Sequence, residues 1–67
     1  MLSARNQLVG GVKSIELGDV MAEVVVHVGP FEIVSVVTRG SAESMGLKVG
    51  DQVRTVIKST EVMVDKP

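Results

Sequence analysis

The side chains in this sequence that could do chemistry are hydrogen-bond donors, and they fall in three places along the chain. They are Ser3 and Arg5 near the start, Thr38 and Ser41 in the middle, and Lys58 and Ser59 near the end. No carboxylate belongs to this set. Hydroxyls and cations without a carboxylate suit a small divalent oxyanion, to which charge-assisted hydrogen bonds contribute roughly 1.5–3 kcal/mol each. The free N–H groups at a helix start beside Ser41 would add to such a cradle.

Each of these residues also has an ordinary structural role open to it. Ser41 is a suitable helix N-cap, and Lys58 has the character of a solvated surface charge. Arg5 lies in a terminal segment of the kind that often frays. Their spacing alone therefore leaves the binding site and the ordinary roles as open alternatives.

The composition restricts the classes of protein to which the chain can belong. Its 67 residues predict a single domain, 1–67, with 45% apolar residues, no cysteine and Phe31 as the one aromatic residue. Without cysteine there is no disulfide framework and no thiolate metal site. A net charge of −1 with interspersed signs argues against nucleic acid as a partner. No secretory signal is visible, and the apolar run 20–37 is too interrupted to span a membrane, so we expect a cytoplasmic protein.

The pattern of apolar and turn residues predicts short strands and one helical turn. β-branched residues dominate two segments that flank Gly29-Pro30, which predicts an antiparallel hairpin. Ser41, Glu43 and Gly46 are typical of a short helix with an N-cap and a C-terminal glycine. A bulge or bend is expected at Gly10-Gly11. The predicted strands are 7–17, 20–28, 31–38, 52–58 and 60–64, with the helical turn Ser41–Met45 between the third and the fourth.

Five short strands in a chain of this length predict a small five-stranded antiparallel barrel of the OB type, with an open β-sandwich fragment as the alternative. Val24, Val25 and Val26 are consecutive, so valines point to both faces of the sheet. Hydrophobic burial and ordering entropy nearly cancel in so small a chain. We therefore expect the outer face to meet another copy of the chain.

Several motifs in order along residues 2 to 64 resemble the molbindin family, the small proteins that bind molybdenum as an oxyanion. The motifs are Ser3-Ala4-Arg5-Asn6-Gln7-Leu8, Glu23-Val24, Thr38-x-x-Ser41, Leu47-Lys48-x-Gly50-Asp51 and Ile57-Lys58-Ser59-Thr60-Glu61-Val62-Met63. The resemblance implies an OB-like barrel assembled into a hexamer, a trimer of dimers. It also implies that molybdate or tungstate is bound between subunits, without catalysis, in storage or buffering of the anion.

The resemblance also implies which residues hold the anion. Ser3 and Arg5 would come from one subunit, and the remaining residues would come from a neighbour. Those are Thr38, Ser41, the backbone N–H of Ala42, Lys58 and Ser59. Arg5 would supply charge and Ser3 a directional hydroxyl, while Asn6 would fix the arm rather than touch the ligand.

Other interpretations differ in the class of protein that they name. An OB module with a structural role, or one that binds single-stranded nucleic acid, would use the same serines, threonines and lysine as ordinary turn residues. An enzyme is disfavoured because no Ser-His-acid or Cys-His set is present.

The chain departs from the family pattern in two places. Members often carry Asn where Met21 stands, and they have a small or glycine-rich turn at residues 27–30. Both departures concern a second class of site that the family has near a threefold axis. His27 has no partner spacing typical of a metal-cation site.

Overall fold

The predicted hairpin of valine-rich strands forms one side of an antiparallel sheet. The structure, a computed structural model, describes residues 3–67. Within that range, four strands form one sheet in the order β3-β2-β1-β4, so β1 is paired on both sides. The all-β class, with one short helix between the third and fourth strands, is confirmed. The elements are β1 (Asn6–Leu17), β2 (Met21–Val28), β3 (Phe31–Thr38), α1 (Arg39–Ser44), β4 (Gln52–Ile57) and a 3-10 helix (Ser59–Glu61).

A small core covers the inner face of this sheet. Val12, Val24 and Val26 form its centre, at 3%, 4% and 2% exposure. Val25 lies on the opposite face and is half-buried, and Val36 of β3 is 61% exposed. Valines therefore do point to both faces, and much of the apolar side-chain area of this protomer faces solvent.

The prediction of a fifth strand over residues 60–64 is wrong. β4 ends at Ile57, and the chain then enters the 3-10 helix, in which the Glu61 N–H donates to the Lys58 carbonyl at 2.9 Å. Only Ser59 separates the two predicted strands, which leaves no room for a hairpin turn, so the chain turns out of the sheet instead. The tail beyond Glu61 is exposed.

Without a fifth strand, the sheet stays open between its two edge strands, β3 and β4. An apolar cleft of about 180 Å³ lies at this opening, and Val37 of β3 and Val53 of β4 are among its lining residues. Within residues 3–67 of the single chain, no pairing between β3 and β4 closes the sheet into a barrel.

Helix α1 begins two residues earlier than predicted because its N-cap is Thr38 and not Ser41. Thr38 has an extended backbone, with φ −69° and ψ 148°. Its hydroxyl oxygen accepts a hydrogen bond from the Ser41 N–H at 3.1 Å, which is the defining bond of an N-cap. The strand end and the helix start therefore share one residue, since a threonine suits both conformations.

Gly46 ends the helix as predicted. Its φ of 62° lies in the left-handed region that favours glycine. The Gly46 N–H donates to the Glu43 carbonyl at 3.0 Å, and the Leu47 N–H donates to the Ala42 carbonyl at 3.2 Å. These two bonds form a Schellman motif, and they direct Leu47 back toward the core.

The two adjacent glycines of β1 have different roles. A Cβ atom at Gly10 would overlap the carbonyl oxygen of His27 in β2 and would lie 2.9 Å from a methyl group of Val26. A Cβ atom at Gly11 would meet nothing closer than 4.0 Å. The register shift falls between Val12 and Ser14, not at the glycines, so the bulge is two residues later than expected. Gly10 is therefore a position of close backbone approach.

We expect Gly10→Ala to destabilise the protein and Gly11→Ala to serve as its matched control. Overpacking at Gly10 should cost about 1–3 kcal/mol, whereas the open site at Gly11 should change the free energy of unfolding by less than about 1 kcal/mol. Urea unfolding of both variants at one protein concentration measures the difference. Equal destabilisation by the two substitutions would contradict the close approach at Gly10.

Candidate functional site

One group of predicted donors meets where the N-terminal arm, residues 3–5, crosses the end of β4. Asn6 pairs with Ile57 at the last rung of the β1–β4 ladder, which brings the arm next to the residues that follow β4. Ser3, Lys58 and Ser59 all line one cleft of about 470 Å³ there. A cation and two hydroxyl-bearing residues therefore share a solvent-open space within a single chain. Ala4, Val56 and Thr60 complete its lining.

Arg5 lies at a bend in the arm and is exposed. It is not among the residues that line this cleft. In the part of the chain that the structure describes, neither Arg5 nor Lys58 takes part in an ion pair. Both positive charges at this end of the sheet are thus uncompensated by a carboxylate, as an anion site requires.

The second group of predicted donors lies at the start of α1. The Thr38 hydroxyl donates to the Ser41 Oγ at 2.8 Å and accepts from the Ser41 N–H. Because Thr38 is the N-cap, the Ala42 N–H is placed to donate the first intrahelical hydrogen bond, which the Thr38 carbonyl accepts. Ala42 is only 4% exposed. The Thr38 hydroxyl therefore uses its proton within the chain, whereas the Ser41 hydroxyl keeps its own proton to donate to a ligand oxygen.

The strand directions place the two groups at opposite ends and opposite edges of the sheet. β3 and β4 are the edge strands, and they run in opposite directions. Thr38 ends β3 beside Met21, whereas Lys58 follows β4 beside Asn6 at the other end of β1. The set of residues expected around one anion is therefore split in each chain.

The split differs from the expected division between subunits. The resemblance puts Ser3 and Arg5 in one chain and the other five residues in its neighbour. In the structure, Ser3 lies with Lys58 and Ser59 of its own chain. We call Ser3, Arg5, Lys58 and Ser59 the arm half-site, and Thr38, Ser41 and Ala42 the helix half-site.

Two ion pairs engage other charges of the chain. Lys13 Nζ lies 2.6 Å from Glu32 Oε2, and the hydrogen bond and positive charge of Lys13 lower the pKa of the Glu32 carboxyl, with a smaller contribution from His27. Because this pKa is lowered on folding, the pair stabilises the fold above the ordinary pKa of Glu32, and that stabilisation is lost as the pH falls. The pair is exposed, so the effect is small.

Arg39 forms the second ion pair within α1 and also fixes the helix half-site to the sheet by hydrogen bonds. Arg39 Nε lies 3.1 Å from Glu43 Oε1, and the Arg39 guanidinium also donates to the Gly18 carbonyl at 3.3 Å. The Arg39 N–H donates to the Val20 carbonyl at 2.8 Å. These bonds hold the first turn of α1 on the β1–β2 turn. Arg39 was missed at the sequence level because nothing in its spacing shows which carbonyl it would reach.

Residues 3–67 lack two classes of feature. No group of three or more histidine, aspartate or glutamate side chains is placed to hold a metal ion there. Over the same residues, no helix has the length and apolar character needed to cross a membrane.

The fold agrees with comparisons to known proteins. The TOBE domain pattern matches residues 2–64. The chain therefore belongs to the TOBE domain family, and the resemblance to molbindins is confirmed. Over 64 residues it is 44% identical to molybdenum-pterin-binding protein 3 of Clostridium pasteurianum, with 94% of each chain covered.

Solved structures of similar proteins share the fold closely. A molybdate-binding protein from Sporomusa ovata superposes with a TM-score of 0.95 at 38% identity, covering 98% of both chains. The cytoplasmic molybdate-binding protein ModG, in a form with molybdate bound, matches with a TM-score of 0.83 at 47% identity. That match covers 88% of this chain and 43% of ModG. These relatives are described as binding proteins rather than enzymes.

The N-cap bond of the helix half-site predicts an ordered effect of two substitutions at Thr38. Thr38→Ala removes the oxygen that accepts from the Ser41 N–H and should cost about 1 kcal/mol of stability. Thr38→Ser keeps that oxygen and should retain most of the stability. Thermal unfolding without ligand compares the two variants. A serine variant as unstable as the alanine variant would show that the hydroxyl does not cap α1.

Proposed function

We propose that this protein binds molybdate, or tungstate, without catalysis, and that it stores or buffers the anion in the cytoplasm as part of molybdenum homeostasis. The observation that carries the proposal is the donor chemistry of the two half-sites, which contain hydroxyls, backbone N–H groups and uncompensated cations without a carboxylate. The relatives named for molybdenum or molybdate binding support it. The whole chain, 1–67, acts as one domain in this proposal.

The chemistry of a tetrahedral dianion assigns a role to each donor. Lys58 and Arg5 supply the two positive charges that balance the ligand. Ser3, Ser59 and the helix half-site supply directional hydrogen bonds to its four oxygens. At roughly 1.5–3 kcal/mol for each charge-assisted bond, four or five of them support micromolar binding, about −8 kcal/mol, after losses to desolvation.

A complete site in this proposal is built from two chains. One chain separates its half-sites across the sheet, so the arm half-site of one copy must meet the helix half-site of another to surround a ligand. This agrees with the expectation of interface sites from the resemblance. In this proposal, Lys58 and Ser59 come from the same subunit as Ser3.

The surface of the single chain supports self-association. Its accessible area is 5420 Å², whereas a compact monomer of 7.1 kDa exposes about 4,100 Å². Its radius of gyration is 12.6 Å, against roughly 10.9 Å for a compact domain of this length. If each of two chains buried this excess of about 1,300 Å², the total area of the interface would lie in the range for obligate homodimers.

Exposed apolar side chains account for much of this excess. Val34 and Val36 on β3 are 58% and 61% exposed, and Met63 in the tail is 94% exposed. The apolar cleft between β3 and β4 adds further surface that a second copy could cover. We propose a hexamer, a trimer of dimers, as the assembly that buries it.

The proposed roles of the two cations can be tested by removing each one. Lys58→Ala and Arg5→Ala should each weaken molybdate binding by about 2–4 kcal/mol, because each leaves the dianion with one charge unbalanced in a desolvated site. Lys66→Ala removes the same charge from the exposed tail and should leave the affinity unchanged. Titration calorimetry measures all three variants. Unchanged affinity in the first two would remove these residues from the site.

Native mass spectrometry tests assembly and binding together. We expect a hexamer that gains mass in steps of one molybdate when the anion is added, and a Lys58→Ala variant that keeps the hexamer but loses the uptake. A folded monomer that takes up no molybdate would refute the proposal. Salt-dependent binding of a single-stranded oligonucleotide by that monomer would instead favour the structural or nucleic-acid-binding OB module.

A further inference from the structure

The N-terminal arm is held by a side chain that has no place in the donor set. Residues 3–5 precede β1 and have no rung in the β1–β4 ladder, which starts at Asn6. The Gln7 side chain reaches back three residues, and its Nε2 donates to the Ala4 carbonyl at 2.7 Å. In the described part of the chain, no other side chain hydrogen-bonds to the arm.

The geometry of this bond determines where the arm goes. The chain bends at Arg5. Gln7, in the second residue pair of the β1–β4 ladder, spans that bend with its side-chain amide. Gln7 itself is half-buried and pairs with Val56, which also lines the cleft of the arm half-site. The bond is thus anchored on β1 directly beside β4, the strand that Lys58 follows, and Ser3 and Lys58 line the same cleft.

We propose that Gln7 is a positioning residue for the arm half-site: its amide closes the bend at Arg5 and holds Ser3 and Arg5 ready for the anion without touching it. This inference rests on the proposed function for its effect on affinity. Its structural part, the ordering of the arm, stands independently of any ligand. Asn6, to which the sequence suggested this role, makes no side-chain hydrogen bond to the arm among the described residues.

The arm needs the Gln7 bond because ordering residues 3–5 costs conformational entropy. Each residue loses conformational freedom when it is ordered, and a segment outside the ladder has few interactions to offset that loss. A single hydrogen bond in a half-buried position changes the ordered fraction by several-fold. An anion that binds a disordered arm must first order it, which lowers its apparent affinity by the same factor.

The first test needs no ligand. Gln7→Met keeps the length and bulk of the side chain but removes its donor, and Gln52→Met is the matched change at an exposed glutamine at the far end of the same ladder. Trypsin cleavage of the Arg5–Asn6 bond, followed by mass spectrometry, should be about 3- to 10-fold faster in Gln7→Met and unchanged in Gln52→Met. Equal cleavage rates in Gln7→Met and the parent chain would overturn the proposal.

The second test uses molybdate in titration calorimetry. Gln7→Met should weaken binding about 3- to 10-fold, and Gln52→Met should not. The same Gln7→Met change made in a Ser3→Ala, Arg5→Ala background should have no further effect, because the arm then has no donor to position. An equal loss in both backgrounds would show that Gln7 acts on the fold in general and would refute a positioning role.

The two tests keep this inference separate from the proposed function. If the parent chain does not bind molybdate, the proposed function fails, and the trypsin rates still decide whether Gln7 orders the arm. If the parent chain binds molybdate and Gln7→Met matches it in both measurements, the proposed function stands and the role of Gln7 is rejected.

Discussion

The double pairing of β1 is the constraint on which the rest of this structure depends. One strand of 12 residues pairs with β4 through its first half and with β2 through its second half. Gly11 is the point of overlap, since it pairs with both Gln52 and His27. Next to it, Gly10 lets the backbones of β1 and β2 approach closely. This close approach requires a residue without a Cβ atom.

The same pairing explains why the donors are divided. Because β1 runs antiparallel to both of its partners, β4 ends where β1 begins, and β3 ends where β1 ends. The arm and Lys58 therefore meet at one end, and Thr38 with α1 lies at the other. Even direct pairing of β3 with β4 would not join them, because these two strands run in opposite directions and Thr38 would then lie beside the start of β4. The antiparallel topology therefore favours a site shared between chains.

The sequence predicted the elements better than it predicted their arrangement. The strand 31–38 was located to the residue and the C-terminal glycine of α1 was identified, because turn residues and β-branched runs report local conformation directly. The fifth strand was wrong because residues 60–64 have strand-like composition but no room for the turn that pairing would need. The N-cap was misplaced because Thr38 and Ser41 are both good capping residues, and only the backbone shows which one caps.

The sequence also did not show which residues of the candidate site lie together. The resemblance supplied the donor residues, but spacing along the chain contained nothing about which of them share a cleft. The grouping of Ser3 with Lys58 follows from the β1–β4 register, and the bond from Gln7 to Ala4 follows from a bend at Arg5. Both are long-range or side-chain details that composition and periodicity do not encode.

Assembly and ligand binding are thermodynamically linked if the site lies between chains. A ligand that binds the assembled state but not the single chain stabilises the assembly, and the assembly strengthens ligand binding by the same factor. In that assembly, the exposed valines of β3 would supply the hydrophobic part of the association, and the donors at the two ends of the sheet would supply its specificity. In the proposed assembly, a small chain with few buried side chains would gain stability and an anion site from the same contact, because neither is complete in one copy.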